Sequence, residues 1–499
     1  MAKKILCLLL PAVLAVCVCL PASASVTPYA NYSFDFWGNP VEMPACYTPS
    51  AVYLGQDMGA GELENPQDVF VDDNRQVYIV DAGNNRLLIL DEGYRLVRAI
   101  DTLIPPENGP EPTLTFNNPS GVFVAEDGLI YLADTDNKRV VVFDQEGNYR
   151  KEFTRPSGSV QYNAIDYLPI RVVVDHNNYV YVVSRNTYQG LILYNPDGGF
   201  EGYFAANETE VTFELLMDRF WKNFLTDEQR AKTANYVSIE YSSVDIDKNG
   251  FMYTTTLLTQ TDTRQLSKIN PSGDDVMPTS PGLHPDFDYK FGDLGSVQVE
   301  GTIVKTKFTD VCYDEEGFIN VLDYQRGRIF QYSDDGSVIS VFGGIGNQAG
   351  TFQSPAAIEM MGHDILVLDS SKNNLTVFSR TAFGEEVQGA VIAHREGEYA
   401  AVKAQWEDIL GKAGNYSPAL IGIGKAYYEE GDYSTAMEYF RLGQDRENYG
   451  KAYKMVRNNV LRVLVPWLCL LIMAVFLYGV VRRAIKRWRR KPRKKEDAR

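Results

Sequence analysis

Residues 119–143, PSGVFVAEDGLIYLADTDNKRVVVF, decide the fold of most of this chain. They contain three short runs of β-branched, aliphatic and aromatic residues, separated by Asp127-Gly128 and by the polar stretch 134–139. Runs of this length with apolar residues in alternation predict β-strands, and Gly, Asp and Asn between them predict tight turns. The stretch therefore predicts three antiparallel strands of one small sheet.

Five further copies of this module occur along the chain, so that six are recognisable. The other copies contain the apolar runs that begin at Pro66, Pro169, Val244, Val311 and Pro355. Several strands in each unit of about 45 to 70 residues are typical of a β-propeller, in which radial repetition protects the sheet edges. We predict a mainly β fold, a six-bladed β-propeller over residues 66–378.

An Asp-x-x-Asn-x-Arg element follows the second strand in the first two copies, as Asp81–Arg86 and Asp134–Arg139. Together with the Pro-x-x-Val opening of the first three copies, this element resembles the NHL-repeat family. The resemblance covers roughly residues 66–378 and is strong in the first two copies. It is degenerate in the other four, where Ser184 replaces the Asp of the third copy and Arg326 the Asn of the fifth. The resemblance implies charged residues that pair within and between blades.

A surplus of residues separates the third copy from the fourth. Within 207–236, Phe213, Leu216, Phe220 and Trp221 recur at helical spacing, which predicts a helical insertion on one face of the propeller. Long insertions in compact domains tend to be functional. We therefore expect a lid or a platform here, and the alternative is an insertion without a function.

After the last strand module the period changes to 34 residues. Gly397 and Gly431 each open a Gly-acid-Tyr sequence at this interval, which is typical of helical hairpin repeats. The copy at 424–440 resembles the tetratricopeptide family, whereas the first copy departs from it at Ala390. We predict a small α-helical tetratricopeptide-like domain over 385–448, which acts either as a spacer or as a docking surface.

Both ends of the chain indicate a membrane protein. Residues 1–24 have a charged start, an apolar run and a small-residue end, so they predict a signal peptide, which an N-terminal extension at 25–65 follows. The uncharged stretch 463–481 predicts one transmembrane helix, and 11 Lys and Arg in 482–499 predict a basic cytoplasmic tail. The predicted location is the cell membrane, with a single pass and the ectodomain outside.

The formal charge of −17 conceals a strongly acidic middle of the chain. Residues 25–462 carry 35 basic and 63 acidic side chains. We expect no nucleic-acid partner, because phosphate recognition needs a concentrated positive surface. Of the six cysteines, only Cys46 and Cys312 lie outside the predicted signal and span, so the fold is no disulfide scaffold.

Motifs for common catalytic and metal sites are missing from the sequence. The four His are scattered, and there is no zinc-ligand spacing, no nucleophile elbow and no phosphate-binding loop. Residues 245–250 imitate the opening of an EF-hand loop, but Thr256 stands where a bidentate Glu is required, so they predict a β-turn. We predict no catalytic residues and no resident cofactor.

One candidate site remains, at the mouth of the central channel. The residue before the first apolar position of each innermost strand should contribute to one ring, which comprises Asp68, Gly121, Arg171, Ser243, Asp310 and Ala357. The polar members Asp68, Arg171, Ser243 and Asp310 can hydrogen-bond a polyol or sugar, or hold a cation such as Ca²⁺. The alternative is that they only cap strand ends and hold channel water.

Two functions of different classes follow. The first is a membrane-anchored extracellular binding or scaffold protein, whose propeller and helical repeats dock a protein partner or a carbohydrate ligand. The chain resembles NHL-repeat surface proteins of Gram-positive bacteria, which implies a link to carbohydrate uptake. The second is an extracellular metal-dependent hydrolase or lyase, similar to propeller lactonases, that acts in the channel through Asp68 and Asp310. We favour the first, because no catalytic motif is present.

Overall fold

The computed structural model describes residues 27–35, 38–106, 112–156, 166–205, 240–256, 265–277, 291–293, 297–299 and 302–489. The predicted signal peptide at 1–24 and the predicted helical insertion at 207–236 lie outside these residues. The chain divides into two compact units, 1–392 with 412–414 and 393–411 with 415–499. The strands belong to the first unit and most helical residues to the second.

Twenty-eight strands are present in the described residues. In chain order they are β1 (Tyr32–Phe34), β2 (Pro40–Glu42), β3 (Tyr47–Leu54), β4 (Pro66–Val71), β5 (Val77–Asp81), β6 (Arg86–Leu90), β7 (Leu96–Ile100), β8 (Pro119–Val124), β9 (Ile130–Asp134), β10 (Arg139–Phe143), β11 (Tyr149–Thr154), β12 (Leu168–Val174), β13 (Val180–Arg185), β14 (Leu191–Tyr194), β15 (Phe200–Phe204), β16 (Tyr241–Ile246), β17 (Met252–Thr256), β18 (Leu266–Ile269), β19 (Val297–Val299), β20 (Thr302–Val304), β21 (Phe308–Tyr313), β22 (Phe318–Asp323), β23 (Arg328–Ser333), β24 (Val338–Ile345), β25 (Thr351–Phe352), β26 (Pro355–Met361), β27 (Asp364–Asp369) and β28 (Asn374–Arg380).

These strands form six antiparallel sheets, which we call A to F. They are sheet A (β4–β7), sheet B (β8–β11), sheet C (β12–β15), sheet D (β16–β18), sheet E (β21–β24) and sheet F (β26–β28 with β3). Strands β1 and β2 extend sheet E, β25 pairs with β24, and β19 pairs with β20 in a separate hairpin.

The sheets show a β-propeller with five complete blades. Sheets A, B, C, E and F have at least four strands each, whereas sheet D has three strands among the described residues. The innermost strands β4, β8, β12, β16, β21 and β26 contact one another in this order, and β26 contacts β4 again. The predicted propeller is therefore confirmed, but a count of six complete blades is not, because a fourth strand of sheet D is not among the described residues.

Buried apolar side chains pack between neighbouring sheets rather than in one central core. Leu88 of sheet A and Leu366 of sheet F belong to the same cluster, and both are fully buried. Tyr131 of sheet B packs in another cluster with Val182 of sheet C. Each blade therefore depends on both of its neighbours for burial, as expected for a repeat fold.

The Asp of the Asp-x-x-Asn-x-Arg element accepts hydrogen bonds from its own turn and from the backbone that precedes the innermost strand. Asp81 accepts hydrogen bonds from the backbone N–H of Glu64 at 2.8 Å, Nδ2 of Asn84 at 2.8 Å and Nε of Arg86 at 2.7 Å. The Asp134–Arg139 copy makes the corresponding three contacts at 2.8–2.9 Å. Because Asp81 is fully buried, these bonds satisfy a carboxylate that would otherwise be costly.

The N-terminal segment supplies strands to the last two sheets. Strand β3 pairs with β28 from Tyr47 opposite Arg380 onward, and so completes sheet F with residues from the start of the chain. Tyr32 of β1 lies on the edge of sheet E, where Arg328 donates a hydrogen bond to its hydroxyl at 2.7 Å. This closure joins the two ends of the propeller sequence through a full ladder of backbone hydrogen bonds.

Five helices follow the last strand. They are α1 (Ala382–Arg395), α2 (Tyr399–Ala413), α3 (Ser417–Glu429), α4 (Tyr433–Leu442) and α5 (Arg446–Arg489). Gly397 and Gly431 have positive φ angles in the turns after α1 and α3. Gly422 lies against Trp406, since a Cβ there would be 2.4 Å from the indole nitrogen. The structure confirms a helical region after the propeller, but it does not identify it as tetratricopeptide repeats.

Helix α5 contains the predicted membrane span. It has 44 residues, and the most apolar window of 18 residues has a mean hydropathy of 2.6 with none of it buried. By length and composition this helix can cross a bilayer. The helix runs without interruption from Arg446 through Pro466 to Arg489, so the predicted span at 463–481 and the first part of the predicted tail form one element.

Candidate functional site at the channel mouth

A repeated β-bulge sets the positions of the predicted ring. In every innermost strand the register with the second strand shifts by one residue just before the ring position. The ring positions that follow these shifts are Asp68, Gly121, Arg171, Ser243, Asp310 and Ala357. A bulge leaves one residue outside the ladder and re-aims the neighbouring side chain. Six equivalent bulges therefore place six equivalent positions, five of which carry a side chain, at one level of the channel.

Arg171 links three sheets across the channel mouth. Its Nη2 lies 3.5 Å from Oδ1 of Asp68 on sheet A, and its Nε lies 3.8 Å from Oδ1 of Asp310 on sheet E. Its guanidinium also donates to the carbonyl oxygens of Ser120 at 2.7 Å, Ile170 at 3.1 Å and Gln67 at 3.4 Å. These three carbonyls belong to the residues that the bulges remove from the ladders of sheets B, C and A, so Arg171 satisfies groups that the bulges release.

The two ring carboxylates are also bonded to neighbouring sheets. Asp68 accepts from the backbone N–H of Val122 on sheet B at 2.8 Å. Asp310 accepts from the hydroxyl of Ser243 on sheet D at 2.5 Å and from the N–H of Ile358 on sheet F at 2.7 Å. All four predicted site residues therefore lie together in one network that joins the inner strands of all six sheets.

Close approach of the backbone requires glycine at one of the two small ring positions. A Cβ at Gly121 would lie 2.4 Å from the carbonyl oxygen of Ile170 and 3.0 Å from Cα of Arg171. Backbone atoms cannot retreat as the end of a flexible side chain can, so Gly is needed where strand β12 crosses β8. Ala357 is fully buried at the equivalent position of sheet F.

Gly121→Ala is expected to lower the free energy of unfolding by about 1–2 kcal/mol, because the added methyl group must push strand β12 aside. Denaturant unfolding of the full-length protein measures the change. Gly128→Ala is an unsuitable control because of its positive φ, whereas Ser272→Ala on an exposed turn of sheet D should leave the midpoint unchanged. Equal stability of the Gly121→Ala variant and the wild type would show that β8 and β12 are farther apart.

A second level of polar residues, which was not predicted from the sequence, lies two positions further along three inner strands. Asp245, Cys312 and Glu359 follow Ser243, Asp310 and Ala357 at the strand period of two. Asp245 accepts from the N–H of Tyr313 at 2.8 Å, and Glu359 accepts from that of Met360 at 2.7 Å.

The other half of this second level is apolar. Phe70, Phe123 and Val173 occupy the equivalent positions of sheets A, B and C, and the rings of the two Phe lie 5.1 Å apart. Cys312, like Cys46, is a buried free thiol, and burial raises its pKa well above the usual value. The second level thus has a carboxylate side and an aromatic side.

Burial favours the protonated form of the channel carboxyls. It raises the pKa of Asp68 to about 7, although the charge of Arg171 acts in the opposite direction. Burial raises the pKa of Asp245 to about 7 as well, and that of Asp310 in spite of Arg171. Glu359 has a pKa well above its usual value, first through burial and then through the charge of Asp245. Arg171 thus acts on Asp68 and Asp310, whereas burial raises the pKa of all four carboxyls.

The described residues contain no group of three or more His, Cys, Asp or Glu side chains that could hold a metal ion. Asp68 and Asp310 are held apart by Arg171, whose positive charge opposes a cation between them. The structure thus brings the four predicted site residues together, and their role in binding a ligand stays a prediction.

Comparison with known proteins identifies a repeat within the propeller. Residues 116–143 match the NHL repeat, which confirms the resemblance for sheet B. The chain is 33% identical over 95 residues to NHL repeat-containing protein 3 of Homo sapiens, a stretch that covers 18% of this chain and 26% of the human protein. The Mus musculus protein of the same name is 34% identical over 95 residues, with the same coverage of 18% and 26%. The chain therefore spans about a quarter of the length of the curated relatives it matches.

Solved structures with similar strand arrangements include enzymes. A gluconolactonase from Xanthomonas campestris is 9% identical, with a TM-score of 0.39 and coverage of 69% of this chain and 99% of that chain. Virginiamycin B lyase from Staphylococcus aureus is 11% identical, with a TM-score of 0.37 and coverage of 63% and 95%. These values are too low for any property of those proteins to be carried over to this chain.

Proposed function

We propose that this protein is a membrane-anchored extracellular scaffold, whose propeller and helical repeats dock a protein partner or a carbohydrate ligand. The observation that carries this proposal is that protein groups of the propeller itself already bind the ring carboxylates. Asp68 contacts Arg171 and Val122, and Asp310 contacts Arg171, Ser243 and Ile358. A catalytic carboxylate needs an oxygen that is free to bind an ion or to move a proton. The ring geometry instead favours a network that fixes the blades and leaves the outer faces for docking.

The finer architecture belongs to the same proposal. We infer that sheet D is the fourth of six blades, which the closed order of contacts among six innermost strands supports. We also infer that α1 to α4 form tetratricopeptide-like repeats. The 34-residue interval between Gly397 and Gly431 and the packing of Trp406 on Gly422 support this reading.

Sidedness and biological context complete the proposal. A signal peptide at 1–24 and a basic tail at 482–499 would place the propeller outside the cell and the C-terminus in the cytoplasm. The link to carbohydrate uptake in Gram-positive bacteria rests on the resemblance to NHL-repeat surface proteins alone. At the ring, a polyol or sugar would replace hydrogen bonds that the protein now makes internally.

Thermal unfolding of the purified full-length protein in detergent tests the function. We expect a mono- or oligosaccharide from a panel to raise the stability by about 2.7 kcal/mol at 100 times its Kd. Chelator and added Ca²⁺ should leave the midpoint unchanged. Ser243→Ala should weaken the effect of a sugar bound at the ring, whereas the exposed Ser272→Ala should not.

Two results would change this assignment. A midpoint that falls with chelator and recovers with Ca²⁺ would contradict the scaffold and favour the metal-dependent hydrolase. Absence of any sugar effect would remove the carbohydrate ligand and leave the protein partner, which cross-linking on intact cells would then have to capture.

A further inference from the structure

Helix α5 carries a group of cations directly before the predicted span. Lys454, Arg457 and Arg462 are exposed on this helix. None of the three has an acidic ion-pair partner among the described residues, and Arg457 contacts only the side chain of Asn458 at 3.4 Å. The sequence has no Asp or Glu from Asn448 to Arg489, and Glu447, the one acid on α5, pairs with Lys451.

The helix fixes the height of these cations above the apolar stretch. At about 1.5 Å per residue, Arg462 lies one step before Val463 and Lys454 about 13 Å before it. The polar region of one leaflet is about 5–8 Å deep, and long Lys and Arg side chains extend along the helix towards it. Because α5 is continuous, Arg462 is held within the polar region of the leaflet and Lys454 a few ångströms above it, about a Debye length or less from the headgroups, rather than on a flexible linker.

Membrane topology does not explain this basic segment. Orientation follows the excess of Lys and Arg on the cytoplasmic side, and cations on the other side work against it. Lys451, one turn further from the span, is paired with Glu447 at 2.6 Å, so its charge is already compensated. Between Lys451 and the span, none of the cations of α5 has an ion-pair partner among the described residues.

We propose that Lys454, Arg457 and Arg462 bind the phosphate groups of anionic lipids in the leaflet that faces the ectodomain. This inference rests on the proposed single span with the ectodomain outside. Each cation close to an anionic surface contributes favourably to association. The lipid contact would hold the base of the helical region at the membrane surface, where the acidic remainder of the chain would be repelled.

Electron spin resonance of labelled lipids tests the proposal on the full-length protein in phosphatidylcholine vesicles. Spin-labelled phosphatidylglycerol or phosphatidylcholine is added only from outside, and protease accessibility confirms that the ectodomain faces outward. We expect about fivefold preference for immobilising phosphatidylglycerol at low salt, and a loss of this preference at high salt. The variant K454Q/R457Q/R462Q should show nearly equal immobilisation of both lipids, since Gln preserves the helix.

Lys451→Gln is the matched control, because it removes a cation that is already paired on the same helix. It should keep the wild-type preference. A triple variant with an unchanged preference, or a Lys451→Gln variant that loses as much, would overturn the proposal. Failure of the anchor itself gives a different result, because the protein would then neither float with vesicles nor immobilise phosphatidylcholine.

Discussion

Replacing Arg171 by Met is expected to lower the free energy of unfolding by about 3–5 kcal/mol at pH 8, the cost typical of breaking a buried ion pair on one side. Met keeps a long side chain but removes the charge between Asp68 and Asp310, which are only 5% and 4% exposed. The substitution also leaves the carbonyls of Ser120 and Gln67 without their donor. Denaturant unfolding of the full-length protein, followed by fluorescence, measures the loss.

The pH dependence separates this electrostatic effect from the loss of the hydrogen bonds to the carbonyls of Ser120 and Gln67. Arg171 lowers the pKa of Asp68 and Asp310, so these pKa values rise further in the variant. At pH 5.5 the carboxyls favour the protonated form, so less negative charge is left uncompensated and the loss should be smaller there than at pH 8. The variant R171M/D68N/D310N should recover part of the stability.

Arg98→Met, on an exposed position of β7, serves as the control and should change stability by no more than about 0.5 kcal/mol. An equal loss for Arg171→Met at both pH values would mean that its hydrogen bonds to the backbone carbonyls, rather than its charge beside the carboxylates, stabilise the mouth.

The ring residues could be predicted because every repeat has the same β-bulge at the same position of its innermost strand. The sequence alignment of the copies places Asp68, Arg171, Ser243 and Asp310 at one position, and the shared bulge gives that position a common direction. The reach of Arg171 across the channel could not be predicted. Repeat spacing defines where a residue lies on its strand, but the partner of a long side chain depends on which other blades carry acids.

The second level of the channel was missed because one of its members fits two patterns. The Asp-x-Asp spacing of Asp245 and Asp247 resembles a turn, and Asp247 does accept hydrogen bonds within the turn that ends at Gly250. Asp245, however, belongs to β16. Counting two residues on from each ring position would have identified Asp245 and Glu359 together, since alternate residues of a strand share a face.

The closure of sheet F by β3 could not be predicted from local sequence patterns, because its two strands are far apart in the chain. Residues 47–54 were assigned to an extension that leads into the propeller, and nothing near them indicates a partner. Their partner β28 lies at the far end of the propeller sequence, so the pairing follows from ring closure and not from any turn. Similarly, the apolar stretch beginning at Val463 predicts the span, but the helix containing it starts at Arg446 because helix α4 packs on its first turns.

The free energy of unfolding is expected to fall as the pH rises from 5.5 to 8, and Asp245→Asn should remove much of this dependence. Burial raises the pKa of both Asp245 and Asp68 from 3.8 to about 7. Between these values the folded protein binds more protons than the unfolded chain, so stability decreases with rising pH. The stabilising contribution of each protonated carboxyl is complete below about pH 4 and is lost as the pH passes about 7.

At pH 8 the Asp245→Asn variant should be more stable than the wild type by about 1–3 kcal/mol, because it removes a buried charge whose ionisation is costly. Its neighbour Glu359 should also ionise more easily, since the charge of Asp245 contributes to raising the pKa of Glu359. Asp73→Asn, at an exposed turn, is the matched control and should leave the pH profile unchanged. Unfolding curves at pH 5.5, 6.5, 7.5 and 8 measure both variants.

A wild type that is at least as stable at pH 8 as at pH 5.5 would contradict this account. Destabilisation by Asp245→Asn at pH 8 would do the same. The first result would mean that the buried carboxyls of the channel keep their negative charge in the folded protein at little cost. The second would mean that the carboxylate of Asp245 stabilises the fold as the acceptor of the Tyr313 N–H and that an amide oxygen cannot replace it there.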